Sequence, residues 1–203
     1  RRLGRPVVKR LLGLIASSDG PSVRRAIAGF VAMGQAGEDV VDLLKELLLS
    51  GSAHERLAVA QVLDRLKIQP DSPDVRAAYW LARGDLERCQ ALGDVAIDVL
   101  LKALPAYDWR EAGAIALSLV RLGVRPDDPA LELVMARLRL MSEMEDQRVT
   151  QMVEVIDEGT LTRQEVTLLV SHQKERRAAR KLLTAIDRSW AKRIRRIRQE
   201  LER

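Results

Sequence analysis

Cysteine and histidine, which commonly serve as catalytic groups and as zinc ligands, are scarce in this chain of 203 residues. There is one cysteine, Cys89, and the two histidines, His54 and His172, are far apart in sequence. A catalytic thiol needs a nearby base, and a zinc site of the Cys/His type needs about four ligands, so these three residues predict neither. No glycine-rich phosphate loop is present. We therefore expect a non-enzymatic protein with no catalytic residue, no metal site and no cofactor.

Two short clusters contain four of the six aromatic residues of the chain. Tyr79 and Trp80 form the first, and Tyr107 and Trp109 form the second. Tyr and Trp contribute a disproportionate share of the binding energy at protein interfaces, so the clusters predict a candidate partner-binding surface. The alternative is that the rings fill space between packed helices.

The C-terminal segment, residues 171–203, carries 12 Lys and Arg against 4 Asp and Glu, whereas the rest of the chain has a net charge of −3. This excess predicts a candidate site for an anionic ligand, with nucleic acid as the possible partner, through contacts with phosphates. Its residues are Arg176, Arg177, Arg180, Lys181, Lys192, Arg193, Arg195, Arg196 and Arg198. The alternative is a solvated helix face, partly neutralised by pairs such as Arg196 with Glu200. Since Trp190 is the one aromatic residue among these charges, no base-stacking platform is expected.

The same segment also carries an apolar stripe with helical spacing, in which successive residues are three or four positions apart. The apolar stripe consists of Leu183, Ile186, Trp190, Ile194, Ile197 and Leu201. A helix that left this stripe in water would be marginally stable, so we expect it to be covered. Either the preceding helices cover it, or the protein forms a homodimer through Trp190, Ile194, Ile197 and Leu201.

The composition is 47% hydrophobic, 31% charged and only 3% aromatic, which predicts a mostly helical chain with an aliphatic core. No apolar run approaches the ~20 residues that a membrane-spanning helix needs. A single cysteine suits a reducing compartment, so we expect a cytoplasmic location. The chain begins "RRLGRP" without a methionine, and we expect it to be a piece of a longer protein.

An internal repeat occupies the middle of the chain. Residues 40–75 align without a gap with residues 96–131, giving 12 identities in 36 positions. Unrelated sequences of ordinary composition would share about two or three. Asp42 aligns with Asp98, and this equivalence favours a structural role over a catalytic carboxylate pair. The repeat predicts two copies of one supersecondary unit.

Each copy of the repeat contains signals for helix termini. Ser52 and Glu55 have capping-box spacing, in which each side chain bonds the backbone N–H of the other residue. Pro73 and Pro129 each follow a Ser or Asp, which predicts an N-cap residue followed by proline at the first helical position. Residues 7–34 resemble a weaker copy of the same unit.

These segments resemble known repeat proteins. "VRRAIAGFVAMG" and "WREAGAIALSLVRLG" look like the second helix of HEAT repeats, and residues 77–104 look like the HEAT-like repeats related to bilin-lyase subunits. The resemblance covers about residues 6–125. The Asp-rich turn of the family is replaced here, with Asp108 alone retained. The resemblance implies an all-α fold, an α-solenoid of stacked antiparallel helix pairs, and such repeats serve as scaffolds, enzyme subunits and nucleic-acid binders.

The repeat decays after residue 126. We therefore predict HEAT-like helical repeats over residues 1–126 and a C-terminal helical segment over residues 127–203 that packs on the solenoid or extends it. Thr162 and Glu165 have capping-box spacing and open either one long helix or two helices with a joint near residues 171–172. The predicted function is a protein-protein interaction or scaffold module. Nucleic-acid binding through the basic C-terminal helix is the alternative, and an accessory subunit of an enzyme complex is a weaker one.

Overall fold

The computed structural model describes residues 10–11, 13–14, 28–29, 38–143 and 163–202. Every regular element within these ranges is helical, which confirms the all-α prediction. The chain forms two compact units, Arg1–Tyr107 and Asp108–Arg203. The domain boundary expected after residue 126 stays a prediction, and the weak repeat over residues 7–34 lies almost entirely outside the described residues.

The first helices whose bounds the structure gives are α1 (Glu38–Ser50) and α2 (Ala53–Leu66), both in the first unit. The predicted capping box at the start of α2 is confirmed. The backbone N–H of Ser52 donates to Glu55 Oε2 at 2.9 Å, and the backbone N–H of Glu55 donates to Ser52 Oγ at 3.3 Å. Because both bonds lie within four residues, this helix start is encoded locally.

Three further helices and a 3₁₀ turn complete the first unit. They are α3 (Pro73–Ala82), α4 (Leu86–Gln90), α5 (Asp94–Ala103) and the 3₁₀ turn Leu104–Ala106. Helix α3 contacts α1, α2, α4 and α5, so it lies at the centre of the unit. Fully buried aliphatic side chains of α1 and α2, including Leu44, Leu48 and Leu63, form the core with Ala78 of α3.

The second unit consists, in its described part, of α6 (Trp109–Leu122), α7 (Pro129–Glu143) and α8 (Arg163–Leu201). Helix α8 is one continuous helix of 39 residues and packs on both α6 and α7. The alternative with a joint near residues 171–172 is therefore wrong. The predicted cap at Thr162 lies outside the described residues.

The structure confirms that the repeat places equal elements at equal offsets. Helices α2 and α6 both have 14 residues and start 56 positions apart, and α3 and α7 both start at the repeated proline. Ser52 caps α2 and Asp108 caps α6, where the backbone N–H groups of Arg110 and Glu111 both donate to Asp108 Oδ1 at 2.9 Å. The stacking of these pairs into a solenoid stays a prediction.

Candidate functional site

A groove of about 540 Å³ lies in the first unit, between the end of α2 and helix α3. Helix α2 ends at Lys67, whose φ of 54° is left-handed, and the chain then turns through Pro70 and Asp71. Lys45 Nζ of α1 donates to Asp71 Oδ2 at 2.9 Å, and this bond lowers the pKa of Asp71. The turn that borders the groove is thus tied to α1.

The apolar lining of the groove comes from three different segments. Leu63 is buried at the end of α2, and Ile68 and Pro70 are half-buried in the turn that follows. Tyr79 and Trp80, from α3, are half-buried on the remaining side. The lining therefore combines aliphatic surface with two aromatic rings that are already partly removed from water.

The two rings hold each other in an edge-to-face arrangement. The ring centroids of Tyr79 and Trp80 are 4.8 Å apart, with an interplanar angle of 71°. The Tyr79 hydroxyl donates to Asp64 Oδ1, and Arg83 Nη1 lies 3.4 Å from Asp64 Oδ2. Burial, followed by the interaction with Asp64, raises the pKa of the Tyr79 phenol, so it remains a donor at neutral pH. These contacts position the tyrosine ring before any ligand binds.

Arg88 of α4 lies over the Trp80 ring, with 4.5 Å between its guanidinium carbon and the ring centroid. Its Nε is 3.3 Å from Oδ2 of Asp85, the residue that caps α4. The Arg88 side chain as a whole is mostly exposed, so it covers the indole while remaining in contact with solvent. Arg88 therefore lines one side of the groove and also places a positive charge at the edge of the groove.

The rim of the groove is positively charged. Lys67 and Arg76 are exposed, and neither forms an ion pair with any residue in the described part of the chain. Asp64, the one acidic side chain of the lining, is already engaged by Tyr79 and Arg83. The groove therefore offers an apolar floor beside available cations, which suits an apolar side chain flanked by carboxylates.

The predicted partner-binding residues are divided between two places. Tyr79 and Trp80 line the groove, whereas Tyr107 and Trp109 do not. Tyr107 is half-buried at the end of the first unit, and Trp109 is half-buried at the start of α6, with the Arg110 guanidinium carbon 5.2 Å from its ring centroid. The two clusters that look alike in sequence thus have different surroundings.

The predicted anion-binding residues on α8 also fall into two groups. Several have contacts within the protein: Arg180 Nε donates to the Ser142 carbonyl at 3.3 Å, Arg193 Nη1 to the Arg121 carbonyl at 3.5 Å, and Arg196 Nε to Glu200 at 3.1 Å. Arg176 is half-buried. Arg195 Nε donates to the Ala191 carbonyl of the same helix at 3.3 Å. The exposed remainder of the predicted set is Arg177, Lys181, Lys192 and Arg198.

The apolar stripe of α8 is covered along only part of its length. Ile186 is fully buried and Trp190 is half-buried, whereas Ile194 and Ile197 are each 43% exposed and Leu201 is 83% exposed. The first part of the stripe is therefore covered by the preceding helices, which was the first of the two alternatives. The homodimer through its last residues stays a prediction.

The remaining residues considered for chemistry occupy ordinary positions. Asp42, Asp98 and His54 are exposed. Cys89 is fully buried, its thiol donates to the Ala77 carbonyl at 3.5 Å, and burial raises its pKa to about 11. Within the described ranges, no three His, Cys, Asp or Glu side chains are placed to share a metal ion.

Sequence reasoning missed the cations of the groove, Lys67, Arg76 and Arg88, and also missed Arg188 on α8. The sequence does carry a signal for Lys67. This residue directly follows the second helix of its repeat copy, and the equivalent position in the other copy is Gly123. The signal for Arg188 was its spacing of seven from Lys181. For Arg76 and Arg88 the sequence carries no signal, because only the packing of α3 and α4 brings them to one groove.

Comparison of the chain with protein-family models, with curated proteins and with solved structures finds no match. None of the described helices has the length and apolar character that crossing a membrane requires.

Proposed function

We propose that the chain is a non-enzymatic protein-interaction module of HEAT-like type, an α-solenoid that binds a segment of a partner protein in the groove beside Tyr79 and Trp80. The repeated helix pairs support this architecture, because equal elements at equal offsets allow neighbouring pairs to stack. The observation that carries the function is the groove itself. Its volume of about 540 Å³ lies within the range of about 300–1,000 Å³ found for ligand sites.

The aromatic wall favours an apolar anchor on the partner segment. Tyr79 and Trp80 are half-buried and hold each other edge to face, so little side-chain entropy remains to be lost on binding. An apolar side chain of the partner, placed against Leu63 and the two rings, would bury the part of the ring surface that is still exposed. Such rigid aromatic anchors are typical of the residues that dominate binding energy.

The rim favours acidic residues next to that anchor. Lys67 and Arg76 have no acidic partner in the described chain, and Asp64 is neutralised by Arg83. A carboxylate on the ligand would therefore meet net positive charge, which raises both selectivity and association rate. The partner is accordingly a protein segment with an apolar residue flanked by Asp or Glu.

Selection from a random-peptide display library tests this function. The immobilised protein should enrich peptides in which an apolar residue neighbours Asp or Glu. Synthetic copies of those peptides should bind Trp80→Ala at least about 10-fold more weakly than the wild type, a loss of about 1.4 kcal/mol. The matched control is Trp109→Ala, which removes a half-buried tryptophan outside the groove and should leave the affinity unchanged.

A second variant separates binding from folding. Lys67 and Arg76 are exposed, so replacing both with Glu should leave the helical circular dichroism intact while repelling the acidic peptides. The proposal fails if no peptide is enriched, or if the enriched peptides bind this double variant as tightly as the wild type. The cytoplasmic location and the accessory-subunit role stay predictions.

A further inference from the structure

Six basic side chains form one straight line along α8, which we call the basic stripe. They are Lys174, Arg177, Lys181, Arg188, Lys192 and Arg195, and all six are exposed. With 3.6 residues per turn, their positions fall within an arc of about 60° around the helix axis. At about 1.5 Å per residue, the stripe is about 32 Å long. Since α8 is one uninterrupted helix, these charges stay in line.

The basic stripe contains no acidic residue. Glu175 points to a different side of α8, where it lies 3.5 Å from Arg110, and Glu200 lies past the end of the stripe, where it pairs with Arg196. Asp187 lies outside the other edge of the arc, by about 80° around the helix axis. None of the six cations forms an ion pair with a residue that the structure describes. Their charge is therefore available to a ligand.

The opposite side of α8 holds the helix in place. Ala179 and Ile186 are fully buried, and α8 packs on α6 and α7. Gly113 of α6 permits a close approach, because a Cβ there would lie only 2.7 Å from Leu182 Cδ1. The basic stripe is thus presented outward by a helix whose apolar side is already occupied along most of the stripe's length.

We infer that the basic stripe binds the phosphate backbone of duplex nucleic acid without reading its sequence. A duplex carries one negative charge per about 1.7 Å of axis, so a linear array of about 32 Å meets many phosphates. Arg and Lys both bind phosphate, the former through its planar fork. No aromatic residue lies within the stripe, so there is no platform for stacking on unpaired bases.

A membrane surface fits this geometry less well. An amphipathic helix binds at a lipid interface by burying its apolar side among the acyl chains. Here the apolar side packs on α6 and α7 as far as Ile186, and only Ile194, Ile197 and Leu201 remain exposed beyond it. The side that is free along the whole stripe is the charged one, which favours a water-soluble polyanion.

The salt dependence of binding to DNA tests the inference. The probe is a fluorescein-labelled duplex of about 20 base pairs, which is longer than the stripe, and the readout is fluorescence anisotropy. Six phosphate contacts predict a slope of log Kobs against log[salt] of about −5, and a loss of about 10³-fold between about 50 and 200 mM salt. Scrambling the base sequence should leave the affinity unchanged.

The decisive variant replaces Lys174, Lys181, Arg188 and Lys192 with Gln. All four are exposed and Gln favours helix, so the fold should be retained, and the slope should fall to about −2. The matched control removes four exposed cations elsewhere, by Arg65→Gln, Lys102→Gln, Arg137→Gln and Arg139→Gln, and should keep a slope within about one unit of the wild type.

Three results would overturn the inference. One is the absence of binding at about 50 mM salt, where contacts with phosphates are strong. Another is an equal loss of slope in the control, which would mean that net charge alone attracts the DNA. The third is tighter binding to phosphatidylserine vesicles than to the duplex at the same salt concentration. Binding to DNA uses no residue of the groove, so it stands or fails independently of the peptide selection.

Discussion

The guanidinium carbon of Arg88 lies 4.5 Å from the centroid of the Trp80 ring. The two residues belong to different helices, α4 and α3, and only the turn capped by Asp85 brings them together. Arg88 thereby covers one face of the indole, and its charge remains at the rim of the groove. This pair connects the fold of the first unit to its proposed binding function.

Replacing Arg88 with Leu should affect stability less than binding. The side chain is mostly exposed, so losing the cation–π contact and the ion pair with Asp85 should lower the free energy of unfolding by about 1 kcal/mol or less. The free energy of binding to acidic peptides from the display selection should fall by more than the free energy of unfolding does. Arg88→Lys, which keeps the charge but loses the planar stack, should lie in between. Urea denaturation and calorimetric titration measure the two effects, and a stability loss above about 2 kcal/mol would contradict this account.

Cys89 should be unreactive in the folded protein. Burial, and then the nearby Asp85, raise the pKa of its thiol to about 11, above the value of about 8.5 for an exposed thiol. At pH 8 a disulfide reagent should therefore react slowly with the native chain and rapidly in urea. Equal rates in the two states would contradict the buried placement.

The same shift predicts a pH dependence of stability. The folded state favours the neutral Cys89 thiol, whereas the thiol of the unfolded chain ionises at about pH 8.5. The stability contributed by the buried thiol is therefore fully present below about pH 8.5 and is lost as the pH rises toward 11. Between pH 8 and pH 10 the wild type should lose more stability than Cys89→Ala, in which this group is absent. Parallel changes in the two proteins would show that other groups account for the alkaline loss.

Two isoleucines of the apolar stripe should respond differently to truncation. Ile186 is fully buried, so Ile186→Ala should cost about 2–5 kcal/mol in unfolding free energy. Ile194 is 43% exposed, and Ile194→Ala should cost about 0.5 kcal/mol or less. Chemical denaturation measures both. Similar costs would mean that the end of α8 is covered in solution.

The predicted homodimer has its own test. If Trp190, Ile194, Ile197 and Leu201 pair between two chains, light scattering should give twice the monomer mass at high concentration. Ile194→Asp should return the protein to a monomer, because it places a charge in that interface. A wild-type protein that stays monomeric would exclude pairing through the stripe.

Gly113 and Leu182 form a pair suited to a double-mutant cycle. A Cβ on Gly113 would lie 2.7 Å from Leu182 Cδ1, so Gly113→Ala must displace that side chain, which offsets the gain of up to about 1 kcal/mol expected from helix propensity. When Leu182 is already Ala, the same change should be more favourable than in the wild type, because Leu138 Cδ2, at 3.3 Å, is then the nearest remaining side-chain atom. Denaturation of the four proteins gives the coupling energy, and additive effects would mean that α6 and α8 do not approach closely here.

Helix starts were the part of the fold most open to prediction. The capping box of Ser52 and Glu55, and the prolines at the first positions of α3 and α7, are present as expected. The reason is that a cap bond joins groups only two or three residues apart, so tertiary context has little influence on it. The repeat predicts a second copy of this unit, and the structure shows Asp108 as the cap of α6 at the position equivalent to Ser52.

The candidate sites were open to prediction only in part. The sequence indicates the types of residue, since it predicts Tyr79 and Trp80 for partner binding and Lys181 and Lys192 for anion binding. Their surroundings depended on packing. Whether an aromatic residue lines a groove is decided by how the end of α2 approaches α3, and these segments meet through contacts that no local pattern encodes.

The sequence by itself determined that this chain is helical, where several helices begin, and that its last helix has one apolar and one basic side. The tertiary structure alone decided how much of each side is available. Ile186 and Leu201 belong to the same stripe, yet the first is fully buried and the second is 83% exposed. The spacing of residues sets which side of a helix they share, but burial requires a neighbouring surface, and α6 and α7 supply one to Ile186 while leaving Leu201 in water.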